Sequence, residues 1–272
     1  MASPSTSHEE FASPLTATGN AERLVDRFGQ DIRWNAALGW LAYDGRRWQR
    51  DDSRRVYTYA KETVRNIYRE AGDNDSEDVR KALAKHAHKS ESRAAREAMV
   101  ALAVSEPGIP VALAELDTDP WLLNVHNGTL DLRTGQLRPH DRGDLLTKMA
   151  GAPYLPGATA PTWDRFLERV LPDPEVRAFV QRFAGYSATG SVREHGMLLF
   201  YGIGANGKTT LVETWQHVLG DYSVTANPAL LMAKAGDSHP TERATLHSRR
   251  LAVCSETEEG RAEAARRHGE AD

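Results

Sequence analysis

The sequence is poor in cysteine, in long apolar runs and in excess charge of either sign. Its single cysteine, Cys254, excludes an internal disulfide and any cysteine-cluster metal site, and a reducing, cytoplasmic setting is expected. No apolar run approaches the roughly 18 residues of a membrane span, so no transmembrane segment is expected. The formal net charge of -4 gives no global electrostatic reason to bind nucleic acid, so any DNA contact must be local.

Length and composition bound the number of domains. With 272 residues, of which 40% are hydrophobic and 26% charged, the chain is an ordinary globular sequence long enough for at least two units. Residues 1–19 have neither the basic start nor the apolar core of a secretory signal, and we expect a disordered leader. Residues 151–161 concentrate proline and glycine, which predicts a connector between an N-terminal domain over residues 20–150 and the rest.

The pattern of residues 20–150 predicts a mixed helical and β-hairpin domain. A short amphipathic stretch precedes an aromatic segment whose Asp44-Gly45 pair is typical of a two-residue hairpin turn. Apolar residues then recur at helical spacing from Val56 to Ile67, and an alanine-rich helical pattern ends near Val104. Residues 122–137 carry three short apolar segments separated by Asn-Gly and Thr-Gly turns, which predicts a β-meander.

Residues 162–195 predict two linking helices. Apolar side chains fall at i, i+3, i+4 and i+7 from Trp163 to Val170, and a second set repeats this spacing further along the chain. Asp173 is a suitable N-cap and Pro174 a suitable first residue for the second helix, and Gly185 can end it.

A glycine-rich loop follows a short apolar run. Residues 197–201 have the composition of a buried strand, and residues 202–210 match the phosphate-binding pattern G-x-x-x-x-G-K-[ST]. Apolar residues from Leu211 to Leu219 then give the next helix a buried face. The order of strand, loop and helix predicts a nucleotide site formed by Gly202, Gly204, Ala205, Asn206, Gly207, Lys208, Thr209 and Thr210.

Each residue type in this loop suits a part of ATP with its Mg²⁺ ion. Glycines let the backbone turn so that successive N–H groups point at phosphate oxygens, aided by the positive end of the helix. Lys208 brings a positive charge to the β- and γ-phosphates, Thr209 places a hydroxyl on the metal, and Thr210 is a second phosphate contact. The alternative is a chance glycine-rich turn, which the flanking patterns disfavour.

An acidic segment supplies the second part of the predicted site. Residues 250–255 form an apolar strand pattern that leads into Glu256 and Glu258. We expect Glu256 to bind the Mg²⁺ ion and Glu258 to orient or activate water. The sequence does not decide which of the two carboxylates has which role. The alternative is a glutamate-rich helix N-terminus that stabilises the helix dipole and has no chemical role. Cys254, on the same strand, is interpreted as a small packing residue.

These motifs carry a family resemblance. Residues 201–210, 219–222 and 250–260 resemble the superfamily 3 helicase domain of phage and plasmid primase-helicases. Residues 117–135 are similar to the poxvirus-type helicase N-terminal domain that precedes this motor. Together the resemblance spans residues 35 to 260.

The resemblance implies a fold and an activity. It implies a partial AAA+ P-loop core of parallel α/β type over residues 196–272, which would make the chain a mixed α/β protein. It further implies an ATP- and Mg²⁺-dependent helicase that forms a ring, commonly a hexamer, and moves single-stranded DNA at replication origins or forks. The family continues with a polar sensor, a DNA-contacting hairpin and an arginine finger, and none fits after Gly260. We therefore expect a truncated motor with impaired hydrolysis, and no primer synthesis.

Other functions and sites stay open at this point. A small-molecule kinase is disfavoured because the pattern of a substrate lid is missing, whereas a non-catalytic remnant that binds nucleotide or a partner is compatible with the sequence. His86 and His88 lie among lysines on a helical stretch that can approach DNA phosphates, but a solvated helix face is the favoured interpretation. The tryptophans, such as Trp48 and Trp121, are interpreted as core or hairpin packing.

Overall fold

The computed structural model describes residues 13–202, 204–226 and 246–254. The chain divides into two compact units. Unit 1 ends at Thr118 and includes Leu145–Thr147, and unit 2 contains Asp119–Asp144 and continues from Lys148. Both units mix helices with small sheets, so the prediction of a mixed α/β protein is confirmed. The predicted domain bounds at residues 20–150, 151–161, 162–195 and 196–272 stay a prediction.

Unit 1 packs four helices against a three-stranded antiparallel sheet of order β1-β2-β3. The elements are α1 (Ala17–Phe28), β1 (Ile32–Asn35), β2 (Gly39–Tyr43), β3 (Trp48–Arg50), α2 (Arg55–Gly72), α3 (Glu77–Ser90) and α4 (Arg93–Ala103). Val56, Ala60, Val64 and Ile67 of α2 are buried, which confirms the helix predicted from their spacing.

Side chains alternate between the two faces of this sheet, and each face meets its own hydrophobic cluster. Ile32 belongs to the cluster that contains the buried residues of α1, α2 and α4. Leu41, Tyr43 and Trp48 belong to a second cluster. Trp48 is 1% exposed, so its interpretation as a packing residue is confirmed.

The predicted two-residue turn at Asp44-Gly45 is wrong, because the hairpin loop is longer. Tyr43 pairs with Trp48, which leaves four residues, 44–47, between the strands. The Asp44 carboxylate accepts hydrogen bonds from the backbone N–H groups of Arg46 and Arg47, each at 2.8 Å. This side-chain cap stabilises a wider loop than the dipeptide alone predicts.

The described residues of unit 2 form a β-meander, three α-helices and a short parallel strand pair. Its elements are β4 (Leu122–Val125), β5 (Gly128–Asp131), β6 (Gln136–Arg138), α5 (Pro161–Val170), α6 (Pro174–Ala188), α7 (Lys208–Leu219), β7 (Ser223–Thr225) and β8 (Leu251–Val253). The antiparallel order β4-β5-β6 confirms the meander, and β7 pairs with β8 in parallel. Asp173 caps α6 by accepting from the N–H of Glu175, as predicted. Gly185 does not end α6, which continues to Ala188.

The strand predicted at residues 197–201 is wrong. These residues form no helix or strand, and Met197, Leu199 and Tyr201 are 74%, 73% and 86% exposed. A buried parallel strand needs a neighbour whose N–H and C=O groups pair with its own. Within residues 13–202, 204–226 and 246–254, no strand pairs with this run. The apolar composition indicates that the segment is suited to burial, but it does not determine which strand would pair with it.

Candidate functional site

The glycine-rich loop turns through left-handed backbone conformations before α7 begins. Gly202, Ala205 and Gly207 have φ angles of 140°, 60° and 88°. Such residues between right-handed ones direct successive N–H groups towards one side of the chain, an arrangement that binds anions. Ile203 lies outside the described residues. The described part of the loop therefore has a backbone form that is compatible with binding an anion.

Lys208 reaches back across the loop. It is the first residue of α7, and its Nζ donates to the carbonyl oxygen of Gly202 at 2.8 Å and to Oδ1 of Asn206 at 2.9 Å. Both acceptors belong to the loop itself. The ammonium charge is therefore held over the loop, where an anion between the backbone N–H groups would meet it.

Glycines occupy the two positions of the loop where the backbone approaches neighbouring side chains. A Cβ added to Gly202 would lie 2.7 Å from Nδ2 of Asn206. A Cβ added to Gly207 would lie 2.6 Å from Cγ1 of Val170 and 3.1 Å from Cε2 of Phe166, both on α5. A side chain at Gly207 would therefore clash with α5, which packs against this end of the loop, whereas at Gly202 the φ angle of 140° favours glycine and the neighbouring atom is the movable end of the Asn206 side chain.

The N-terminus of α7 presents hydrogen-bond donors next to this loop. Gly207 precedes the helix and has no side chain to cap it, and its carbonyl accepts the first helical bond from Leu211 N at 3.0 Å. The N–H groups of the first helical turn have no partner within the helix and carry its partial positive charge. Thr209 and Thr210 are exposed in this turn. Their hydroxyls are accessible to a ligand at the same place.

Comparison with known proteins places the chain in a family. Residues 21–172, more than half of the chain, match the family described as D5 N terminal like. The chain belongs to this family. The match ends before the glycine-rich loop, so the family assignment and the loop geometry are independent observations.

Two viral proteins resemble the chain over a similar length. A protein of Acanthamoeba polyphaga mimivirus that is named as a helicase is 27% identical over 133 residues, which is 47% of this chain. A protein of African swine fever virus that is named as a primase is 31% identical over 123 residues, or 43% of this chain. The matched segments cover 14% and 13% of those viral proteins. This member of the D5 N terminal like family therefore resembles a small part of each.

The structure brings together the loop half of the predicted site. Residues 204–207 form a turn, and α7 begins at Lys208 and includes Thr209 and Thr210, while Gly202 lies on the other side of Ile203. Glu256 and Glu258 lie outside the described residues, and their roles stay predictions. The strand predicted before them is confirmed as β8 (Leu251–Val253). Among the residues that the structure describes, no group of three or more His, Cys, Asp or Glu could hold a metal ion.

Arg250 is a positioning residue that the sequence pattern did not reveal. It lies directly before β8 and donates to the carbonyl oxygens of Ala188 and Leu122, each at 2.6 Å. Its guanidinium also lies 4.3 Å from the ring centre of Tyr222. The contacts fix the start of β8 against α6 and against β4, which belongs to the D5 N terminal like segment. The sequence offers no signal for them, because both acceptors are backbone groups.

His86 is not part of a solvated face. Its Nε2 contacts Oδ1 of Asn20 at 2.8 Å, and Nδ2 of Asn20 donates to Ser90 Oγ at 2.9 Å. Burial lowers the pKa of His86, and the nearby charge of Arg23 lowers it further. The favoured interpretation of a solvated stretch therefore holds for the exposed His88 but is wrong for His86.

Within the described parts of the chain, no helix combines the length and the apolar character needed to cross a bilayer.

Proposed function

We propose that this chain binds ATP with Mg²⁺ at the glycine-rich loop and provides the ATPase site of a superfamily 3, AAA+ type helicase in DNA replication. The position of Lys208 carries the proposal. Its ammonium group lies over the loop within 2.8 Å of the Gly202 carbonyl, next to the exposed N-terminus of α7. The helicase and primase names of the viral relatives support a role in replication.

The loop residues fit a nucleotide triphosphate. Gly202 and Gly207 place no side chain between the backbone and a ligand, so bound phosphates would meet N–H groups directly. Lys208 would exchange its two loop acceptors for oxygens of the β- and γ-phosphates. Thr209 would hold the metal through its hydroxyl, and Thr210 would donate to a phosphate. Bound Mg²⁺ supplies positive charge that offsets the charge developing during hydrolysis.

The remaining parts of the proposed motor follow from the sequence resemblance. Glu256 would bind the Mg²⁺ ion and Glu258 would orient the attacking water, or the two glutamates would have these roles the other way round. The parallel pair β7–β8 is compatible with the edge of a P-loop sheet, which we propose extends to further strands. A ring of subunits, commonly six in the resembling family, would act on single-stranded DNA at a replication fork.

Calorimetric titration of the full chain with ATP and Mg²⁺ tests the nucleotide site. Lys208→Ala removes the one side-chain cation aimed at the terminal phosphates, and we expect affinity to fall by about tenfold or more, equivalent to about 1.4 kcal/mol. Lys85→Ala is the matched control, because Lys85 is an exposed lysine on α3 of unit 1. It should bind as the unchanged chain does.

The outcome is clear in either direction. Equal affinity of the Lys208→Ala variant, in a protein whose circular dichroism matches the parent, would refute the nucleotide site. Omission of Mg²⁺ should weaken binding to the parent and have less effect on Thr209→Ala, because that threonine is proposed to hold the metal. ATP hydrolysis stimulated by single-stranded DNA would then distinguish a helicase motor from a small-molecule kinase or a non-catalytic binding protein.

A further inference from the structure

Helix α2 of unit 1 carries a row of exposed basic and aromatic side chains. Tyr57, Lys61, Arg65 and Tyr68 recur at i, i+4, i+8 and i+11 and are all exposed. At a period of 3.6 residues this spacing places them along one stripe of the helix. We define the α2 basic face as these residues with the flanking exposed arginines: Arg54, Tyr57, Lys61, Arg65, Tyr68 and Arg69.

The charge of this face is opposite to that of the chain. Its four cations are accompanied on the exposed side of α2 by a single acid, Glu62, whereas the whole chain has a net charge of -4. The other acid of α2, Glu70, is directed to the buried Arg23, whose Nε lies 3.2 Å from its Oε2. Arg69 donates to the neutral amide oxygen of Asn66 at 3.1 Å. Glu91, which follows α3, hydrogen-bonds to Tyr68, so the four cations of the face outnumber the two acids beside it, Glu62 and Glu91.

The two tyrosines are only partly packed. Tyr57 and Tyr68 are each 37% exposed, and the guanidinium of Arg54 lies 5.9 Å from the Tyr57 ring centre. The stripe from Arg54 to Arg69 extends for about 22 Å at 1.5 Å per residue. Cations that alternate with aromatic rings along such a length match the alternation of phosphates and bases in an unpaired strand. The excess of cations together with two partly exposed rings distinguishes this face from a solvated helix face of balanced charge.

We propose that the α2 basic face binds single-stranded DNA. The place on unit 1 follows from α2 itself, whereas the identity of the polymer as DNA rests on the proposed replication function. The cations contact the phosphates, and Tyr57 and Tyr68 stack against bases. Because stacking needs unpaired bases, the face discriminates against duplex DNA of the same length.

Fluorescence anisotropy with a labelled oligothymidylate tests this assignment on the full chain. Binding is measured between about 50 and 200 mM salt, because each phosphate contact contributes about 0.7 to the slope of log affinity against log salt for a single strand. The double variant Lys61→Ala, Arg65→Ala should lower this slope by about 1.4, through the loss of two contacts. Tyr57→Ala with Tyr68→Ala should weaken binding by about tenfold or more without changing the slope.

The matched control is the double variant Lys81→Ala, Lys85→Ala, which removes the same charge from exposed positions of α3 in the same unit. It should bind the oligonucleotide as the parent does. An equal loss in this control, or equal affinity of the parent for a duplex of the same length, would overturn the proposal. The lysine and arginine variants keep the test valid even if the tyrosine variant unfolds, because Lys61 and Arg65 are exposed.

The test of the α2 basic face is independent of the test of the proposed ATPase site. The α2 variants should retain the affinity of the parent for ATP with Mg²⁺, since the loop lies in unit 2. Loss of nucleotide binding in the parent, together with α2-dependent binding of single strands, would refute the ATPase alone. Nucleotide binding without any α2-dependent strand binding would refute the α2 site alone.

Discussion

Replacement of Gly207 by alanine tests whether α5 packs against the glycine-rich loop. Gly207 has a φ angle of 88°, in the left-handed region. Its added Cβ would lie 2.6 Å from Cγ1 of Val170 and 3.1 Å from Cε2 of Phe166. Val170 is β-branched and lies at the end of a helix, so its χ1 rotamer offers little freedom to move away. The substitution therefore combines backbone strain with a steric clash.

The expected loss of stability is the sum of these two contributions. A non-glycine residue in the left-handed conformation costs roughly 1–2 kcal/mol. Extra volume in a packed region costs typically about 1–3 kcal/mol. We therefore expect Gly207→Ala to lower the free energy of unfolding by about 2–5 kcal/mol. Gly157→Ala is the matched control, because Gly157 has a φ angle of 76° and nothing lies within 4 Å of its added Cβ. It should show the backbone contribution alone.

Urea denaturation followed by circular dichroism measures both variants. A double-mutant cycle with Val170→Ala isolates the clash, and removal of the valine methyl groups should recover the steric part, about 1–3 kcal/mol. A stability of Gly207→Ala equal to that of Gly157→Ala would refute the packing of α5 on the loop. Absence of coupling to Val170 would refute it equally.

Two further predictions concern the stability that Arg250 and His86 contribute through their hydrogen bonds. Arg250→Met should lower the free energy of unfolding by about 3 kcal/mol, because each charged hydrogen bond to a carbonyl contributes about 1.5–3 kcal/mol. Urea denaturation beside the exposed control Arg193→Met measures this, and equal stability of the two variants would contradict it. The lowered pKa of His86 favours the neutral imidazole in the folded state, so stability should fall as pH drops below its unfolded pKa of about 6.5. His86→Gln should flatten this dependence, and an unchanged pH profile in that variant would show that His86 is not its source.

Local patterns predicted most of the elements in the described chain. The apolar residues of α2 repeat at helical spacing over three turns, and the meander is marked by Asn-Gly and Thr-Gly turns, so both were recognisable. The exposed run at residues 197–201 was not, because an apolar run of this length indicates suitability for burial but does not determine a pairing partner. The four-residue loop after Tyr43 was also missed, because it depends on the side chain of Asp44.

The candidate site divides in the same way. The turn of the glycine-rich loop and the start of α7 at Lys208 were predictable from the residue spacing, whereas the binding of phosphates there stays a prediction. Arg250 was not predictable, since its acceptors on Ala188 and Leu122 lie 62 and 128 residues away along the chain. Contacts with backbone carbonyls place no demand on the identity of the partner residue. The local turn before α7 can therefore be predicted from the sequence, whereas the contacts that position β8 are found only in the three-dimensional structure.

Helix α7 follows the glycine-rich loop and contacts the D5 N terminal like segment near its other end. Lys208 lies at its first residue, and beyond its last turn the N–H of Gly151 donates to the carbonyl of Val218 at 2.9 Å. The adjacent N–H of Ala150 donates to the carbonyl of Asn124 in β4 at 2.8 Å. A Cβ at Gly151 would lie 1.8 Å from the carbonyl oxygen of His217, so the segment approaches the helix backbone directly. A ligand that binds the folded loop also stabilises the elements that unfold with it, and we therefore expect β4 to share any protection that the proposed nucleotide would confer on α7.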